Sequence, residues 1–432
     1  MLLIAYDMIM HLVVILLLPY YMFNRFVSGR GKQRQGLCER LGIGFAKHLR
    51  QAGGRPIVWI HAVSVGETNA ALPLIKKLRQ VYPDLYLLLS NVTETGHAIA
   101  VGIHELDAVC FLPFDLSWSM RRVFKFLRPE LLILIETELW PNLIRQAERT
   151  GVKTLMINGR ISDRSFPRYL RVKAMLAPLL RRISLFSMQS QVDMDRIIAM
   201  GAEPSRVQVN GNTKFDFPEI SAEVWERSSL WRDCRLPAGA EVLVAGSTHV
   251  GEETQLLEVF SRIRRKRKNL RLVLVPRHPQ RRGELVALVR AAGFRAVLRS
   301  SLVASGSFPL EPDQVLIGDS LGEMQAYYAL ADVVFVGGSL VPVGGHNLLE
   351  AGMVRKPVIF GPHMHNFRKI RDLVKNAGAG RQVEDCRQLA LALEELFADP
   401  VQSRTMGAAG YQLIAEHRGA VMQTVTAITP WL

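Results

Sequence analysis

From residue 57 onward the chain repeats one unit: a short apolar run, a cluster of turn-forming residues, then a stretch whose apolar positions recur at helical spacing. The apolar runs fall at 57–62, 85–90, 131–136 and 154–158. A run this short with little polar alternation fits a strand buried on both faces, and strands separated by helical stretches build parallel sheets covered by helices. A second series lies at 241–246, 270–276, 314–318, 333–337 and 357–360. Between the two series the periodicity lapses and Pro218 and Pro237 interrupt it. The pattern therefore predicts two doubly wound α/β domains, 25–211 and 237–432, joined by a linker at 212–236, with the last helix free to return to the first domain. In such sheets ligands bind at the carboxyl ends of the strands.

The stretch ahead of these units reads differently. From residue 2 to residue 23 the only titrating interruptions other than tyrosine are Asp7 and His11, and Arg25, Arg30, Lys32 and Arg34 follow. That length is close to the ~20 apolar residues a membrane helix needs. A cleaved signal would carry its positive charge before the apolar run and small residues after it, so a retained anchor over 1–24 is expected. The flanking cations would hold everything after residue 25 on the cytoplasmic side. Asp7 and His11 would be costly at the bilayer centre, and the alternative is a helix lying in the interface.

Composition narrows the classes. Of 432 residues, 49% are hydrophobic and 22% charged, which excludes a disordered chain and supplies two cores. Lys and Arg number 54 against 39 Asp and Glu, a net charge of +15 that calls for an anionic partner. The four cysteines, Cys38, Cys110, Cys234 and Cys386, are widely spaced, so neither a disulfide framework nor a Cys-based zinc site is expected.

Chemistry concentrates at the predicted strand ends. In His61-Ala-Val-Ser64-Val-Gly66-Glu67, the turn leads into a helix with Glu67 in its first turn. A carboxylate there is stabilised by free N–H groups and the helix dipole, and the position suits a plain helix cap as well as a reactive group. The segment Ile135-Glu136-Thr-Glu138-Leu-Trp140-Pro141-Asn142 gathers two carboxylates and a tryptophan in one mouth. Neighbouring carboxylates raise one another's pKa, which is how a general base is tuned, whereas Trp140 suits the core equally well. Asn158-Gly-Arg160-Ile-Ser162 adds a cation at the next strand end.

The second domain carries Gly246-Ser247-Thr248, Pro276-Arg277-His278-Pro279, Gly337-Gly338-Ser339 and Gly344-Gly345-His346-Asn347-Leu-Leu-Glu350. Glycine lets backbone approach a ligand, and a helix starting there offers N–H donors to a phosphate. Glu350, about one turn into that helix, is placed to accept hydrogen bonds from ribose hydroxyls. The combination points to a nucleotide.

Taken in order, these segments, with Gly-Asn-Thr-Lys214-Phe-Asp and the N-terminal anchor, resemble the 3-deoxy-D-manno-octulosonic acid (Kdo) transferases of lipopolysaccharide assembly along essentially the whole chain. The resemblance implies a GT-B architecture, and transfer of Kdo from CMP-Kdo to the lipid A precursor (lipid IVA) at the cytoplasmic face of the inner membrane. It implies Glu67 as general base of an inverting displacement, with Glu136, Glu138 and Arg160 supporting the acceptor side. For the donor it implies Lys214, Ser247, Thr248, Arg277, His278, Gly337, Gly338, Ser339, Gly345, Asn347 and Glu350, with Arg277 the first choice for the donor's anionic groups. No cofactor and no metal are expected. The fold alone does not choose base or sugar, so another GT-B transferase using a UDP-sugar and a lipid acceptor is the alternative.

Two other signals carry less. Asp193-Met-Asp195 spells a metal-binding Asp-x-Asp, but in a helical pattern two residues apart point away from each other. The basic run from Arg262 to Lys268 lacks interleaved aromatics, which argues against nucleic acid and for a solvated face or anionic headgroups. Arg121, Arg122, Lys125 and Arg128, with Arg168, Arg171, Lys173, Arg181 and Arg182, lie in the first domain and suit a phosphorylated substrate in an anionic leaflet.

Overall fold

A computed structural model of the chain describes residues 6–16, 36–216, 230, 236, 237, 239–305 and 310–432. The described residues up to Asp216, together with His417–Leu432, form one compact unit, and the rest as far as Glu416 form a second.

In the first unit the strands β1 (Ile57–His61), β2 (Tyr86–Asn91), β3 (Ala108–Phe111), β4 (Leu131–Ile135), β5 (Lys153–Gly159), β6 (Leu185–Met188) and β7 (Val207–Val209) make one sheet in the order β3-β2-β1-β4-β5-β6-β7. In the second unit β8 (Glu241–Thr248), β9 (Leu270–Pro276), β10 (Arg295–Leu298), β11 (Gln314–Ile317), β12 (Val333–Val336), β13 (Val358–Phe360) and β14 (Gly380–Gln382) are ordered β10-β11-β9-β8-β12-β13-β14. Every pairing is parallel. These are the two doubly wound α/β units that the hydrophobic pattern predicts.

The uninterrupted runs have a direct cause. Ile57 and Trp59 enter one core cluster while Val58 and Ile60, on the opposite face of β1, enter another, and all are buried. A strand covered by helices on both sides leaves no polar position in its alternation. The helix Ala420–Ile428 completes the second cluster with Val421, Val425 and Ile428, packing beside the helix Val65–Val81. Asp216 holds its start by accepting the N–H groups of Gly419, at 2.7 Å, and of Val421.

Of the predicted anchor, residues 6–16 are described and are helical, while 1–5 and 17–35 lie outside the described residues. Among the described residues no helix is long and apolar enough to cross a membrane. Asp7, which the sequence presents as an interruption, fastens this helix to the first unit by accepting the backbone N–H of Ser117 at 3.0 Å and the amide of Asn142 at 2.8 Å. Tyr6 donates its hydroxyl to Asp115, which in turn accepts the N–H groups of Asn142 and Leu143. The polar edge of the helix is thus tied down, while Met8, Ile9, Leu12, Ile15 and Leu16 are 57–68% exposed.

Candidate active site

A doubly wound sheet opens a crevice where its strand order reverses. In the first unit that point lies between β1 and β4, and the predicted carboxylates follow those two strands. Ser64 precedes the helix Val65–Val81 without a side-chain cap to it, and Glu67 reaches back to accept the N–H of Val63 and, at 3.3 Å, the hydroxyl of Ser64. Glu67 is therefore a helix-capping group by contact. It is also a perturbed acid: burial, and then the charge of Glu136, push its pKa up to about 6 against the hydrogen bond from Val63.

Glu138 is pushed further, to about 8, by burial and then by the charge of Glu67. Glu136 follows β4 directly, in the left-handed region at φ 60°, and its carboxylate meets Lys214 Nζ at 2.9 Å. A non-glycine residue in that region costs roughly 1 kcal/mol or more and is held there by its surroundings. Asn158, near the end of β5, has φ 57° and accepts the N–H of Thr213 at 3.1 Å, which ties the turn bearing Lys214 to this mouth. Lys214 thus belongs to the first unit and stands beside its carboxylates, whereas the other predicted donor residues belong to the second. Arg160 joins the same rim, where its backbone N–H donates to Thr137 Oγ1 at 3.1 Å. Trp140 packs on the core, with its ring edge-on to His61 at 6.0 Å.

In the second unit the reversal lies between β8 and β12. Ser247 repeats the strained geometry of Glu136, with φ 56° near the end of β8. The N–H groups of Gly338 and Ser339, expected to face the donor, are already accepted by Glu252 at 2.6 and 2.9 Å, together with those of Leu340 and His249. Glu252 is fully buried, so its carboxylate holds the turn after β12 in shape. Ser339 is likewise occupied, since its hydroxyl donates to Val336 and accepts the N–H of Gly361. Gly337, Gly338 and Ser339 therefore shape the mouth through backbone rather than offering polar atoms to it.

What faces the mouth is different. Burial pushes the Glu350 carboxyl up to about 7, while the nearby charge of Arg277 and the side chain of Asn347 pull it down. Burial, and then the charge of Arg277, depress the pKa of His346. Arg277, His346, Asn347 and Glu350 are thus one group, with His278 facing it across His249. Thr248 Oγ1 is buried with no hydrogen-bond partner among the described residues. Gly345 must be glycine, because at φ 75° a Cβ would lie 2.1 Å from Met364 Sδ. The helix beyond it starts only at Leu349 and has five residues, a short lever for a dipole effect. Charge for an anion comes instead from Arg277 and its neighbours.

The sequence pattern does not single out His249, His346 or Glu252 as site residues, although each lies in or beside one of its motifs. It excludes Asp193 as a metal ligand, and the structure agrees: that side chain is fully buried, accepts the N–H of Ile161 at 2.8 Å and receives the Ser190 hydroxyl. Within the basic run Arg267 pairs with Glu241 at 2.6 Å and Arg264 lies over Phe294, while Arg262, Arg265, Lys266 and Lys268 are exposed, as on a solvated face.

A family model described as 3-deoxy-D-manno-octulosonic-acid transferase matches residues 35–217. A 3-deoxy-D-manno-octulosonic acid transferase of Haemophilus influenzae is 35% identical over 407 residues, covering 93% of this chain and 92% of that protein. Its counterpart in Bordetella pertussis is 35% identical over 390 residues, 87% of each. Among solved structures, a UDP-GlcNAc 2-epimerase of Neisseria meningitidis bound to UDP-GlcNAc matches with a TM-score of 0.56 over 87% of this chain and all of that one. A glycosyltransferase of Rickettsia africae matches at 0.54 over 88% and 99%. At 11% and 13% identity these two share the fold alone. With relatives matched along nearly its full length, and with the family's motifs gathered at two strand-order reversals, the chain belongs to the Kdo transferases, the glycosyltransferases of lipopolysaccharide biosynthesis.

Proposed function

We propose that this chain moves Kdo from CMP-Kdo to the lipid A precursor lipid IVA, inverting the anomeric configuration, without a metal, at the cytoplasmic face of the inner membrane. Glu67 takes the proton of the acceptor hydroxyl as its oxygen attacks the anomeric carbon. The bond to the donor phosphate breaks, and its electron pair leaves with CMP. Glu136 and Glu138 position the acceptor sugar and support the base, and Arg160 lies on the same rim.

In the second unit Arg277 and Asn347 take the phosphate, Glu350 takes the ribose hydroxyls, and Thr248 and His278 complete the wall. The observation that carries the reading is the state of Glu67: a half-buried carboxylate at a strand-order reversal with its pKa pushed up to about 6, close to the pH at which a base must accept a proton. Placement at the membrane is supported by the helix at 6–16, whose polar edge is tied down while its apolar side chains stay exposed, and by the basic residues of the first unit.

The test is incubation of the protein with labelled CMP-Kdo and tetra-acylated lipid A precursor in the presence of a chelator. Labelled Kdo on the lipid, in the inverted configuration, is the expected result. Transfer from a UDP-sugar with none from CMP-Kdo would replace this reading by another GT-B activity, and loss of transfer with chelator alone would overturn the metal-free step.

A further inference from the structure

His249 and His346 meet at the mouth of the second unit in an unusual way. Their Nε2 atoms are 2.9 Å apart, and the two ring planes lie within 4° of parallel with centres 5.2 Å apart. The separation of the centres is about the nitrogen distance plus two ring radii, so both nitrogens lie on the line between the rings. One imidazole must donate its Nε2–H and the other accept it on its lone pair, keeping its own hydrogen on Nδ1. The pair therefore holds one bridging proton while uncharged, and a further proton must enter at the outer Nδ1 of the donating ring.

The surroundings keep the free pair uncharged. Arg277 and His278 approach from the end of β9, and Arg281 follows them, paired with Glu253 at 2.8 Å. Glu252 is occupied with backbone N–H groups, including that of His249. Glu350 stands across from Arg277, and His365 lies behind Gly344. Burial first, and then Arg277, hold His346 down to about 3. Both rings border Gly338, whose added Cβ would lie 3.1 Å from His346 and 3.3 Å from His249. Beside His249, Thr248 Oγ1 is buried and unpartnered among the described residues, as a group awaiting a ligand would be.

We propose that the His249–His346 pair is a proton-uptake site of the nucleotide-phosphate subsite, uncharged when the subsite is free and singly protonated when a phosphomonoester fills it. The inference rests on reading this unit as the CMP-Kdo domain. A bound phosphate offsets the charge of Arg277 and reverses the balance that keeps the pair neutral. During transfer the phosphate changes from diester to monoester as the bond to the anomeric carbon breaks, gaining one negative charge. The proton drawn from solvent onto the pair neutralises that gain, so these residues stabilise the leaving group without forming a bond to it.

Titration calorimetry of the full chain with CMP and with cytidine, at pH 7.5 in buffers of low and high ionisation enthalpy, tests this. CMP binding should take up roughly one proton and cytidine binding none. His346→Gln and His249→Gln should each still bind CMP, more weakly, with the uptake lost in both, because the bridge needs both rings. CMP that binds with no buffer dependence, or with uptake unchanged in both variants, overturns the pair as the proton site while leaving the donor reading intact. Failure of the wild-type chain to bind CMP overturns the donor reading itself.

Discussion

The two units share a doubly wound architecture and differ in the charge they place at the strand-order reversal. In the first, β1 and β4 deliver Glu67, Glu136 and Glu138, with Lys214 bound to one of them. In the second, β8, β9 and the loop after β12 deliver Arg277, His249, His278 and His346 around Glu350. Both also hold a non-glycine residue in the left-handed region near the end of a central strand, Glu136 just after β4 in one and Ser247 within β8 in the other. The contrast teaches that the fold supplies a place, and side-chain charge decides whether that place handles a proton-bearing hydroxyl or an anion.

Four outcomes sharpen or break this contrast. The largest is Glu67→Gln, expected to lower kcat by ~10²- to 10⁴-fold with CMP affinity nearly unchanged. Turnover close to wild type would reduce Glu67 to the helix cap it also is. Next, Arg277→Ala should weaken CMP by about 10- to 100-fold with little effect on acceptor KM, as loss of a charged contact to phosphate implies; an effect on acceptor KM alone would move Arg277 out of the anionic mouth.

The third concerns stability. Glu138, with its pKa raised to about 8, is at ease in the fold only when protonated. Its cost is absent below the ordinary carboxylate range and grows as pH rises towards 8, so Glu138→Gln should stabilise the protein at pH 9, by on the order of 1–3 kcal/mol, and leave it unchanged at pH 4.5. Thermal unfolding of both proteins at the two pH values gives the answer. The smallest effect is on the pH profile. Activity should rise with pH through about 6 as Glu67 ionises, and Lys214→Met, by leaving Glu136 unneutralised, should move that limb upward by about half a unit to one unit. An unmoved limb would separate Lys214 from the proton chemistry.

The strands legible in the sequence and the strands that are not differ in position within the sheet. β1, β2, β4 and β5, and β8, β9, β11, β12 and β13, sit inside their sheets and read as apolar runs. The hydrophobic pattern passes over β3, β7, β10 and β14, the edge strands, and β6 beside β7. These have three or four residues each, and the edge strands β10 and β14 contain no fully buried position. A strand half open to solvent loses the pattern that marks a buried one. The site is legible in the same measure. Glu67, Glu136, Glu138, Arg277, Asn347 and Glu350 stand out because acids, cations and amides are out of place beside apolar runs. Glu252 reads as no more than one of two acids in a helix's first turn, and three of the four backbone N–H groups it captures come from a turn some 86 residues further along the chain.

By itself the sequence determined the two parallel sheets, their central strands, the family, and the residue types at each strand end, because burial on both faces and turn chemistry are local properties of the chain. Only the tertiary structure decided which of those residues meet. It set Lys214 against Glu136, gave the N–H groups of Gly338 and Ser339 to Glu252, aligned His249 with His346, and turned Asp7 from an interruption in an apolar run into the cap of the helix Ser117–Leu127. Each of these pairs is distant in sequence, and distance in sequence is erased only when the strands take their order in the sheet.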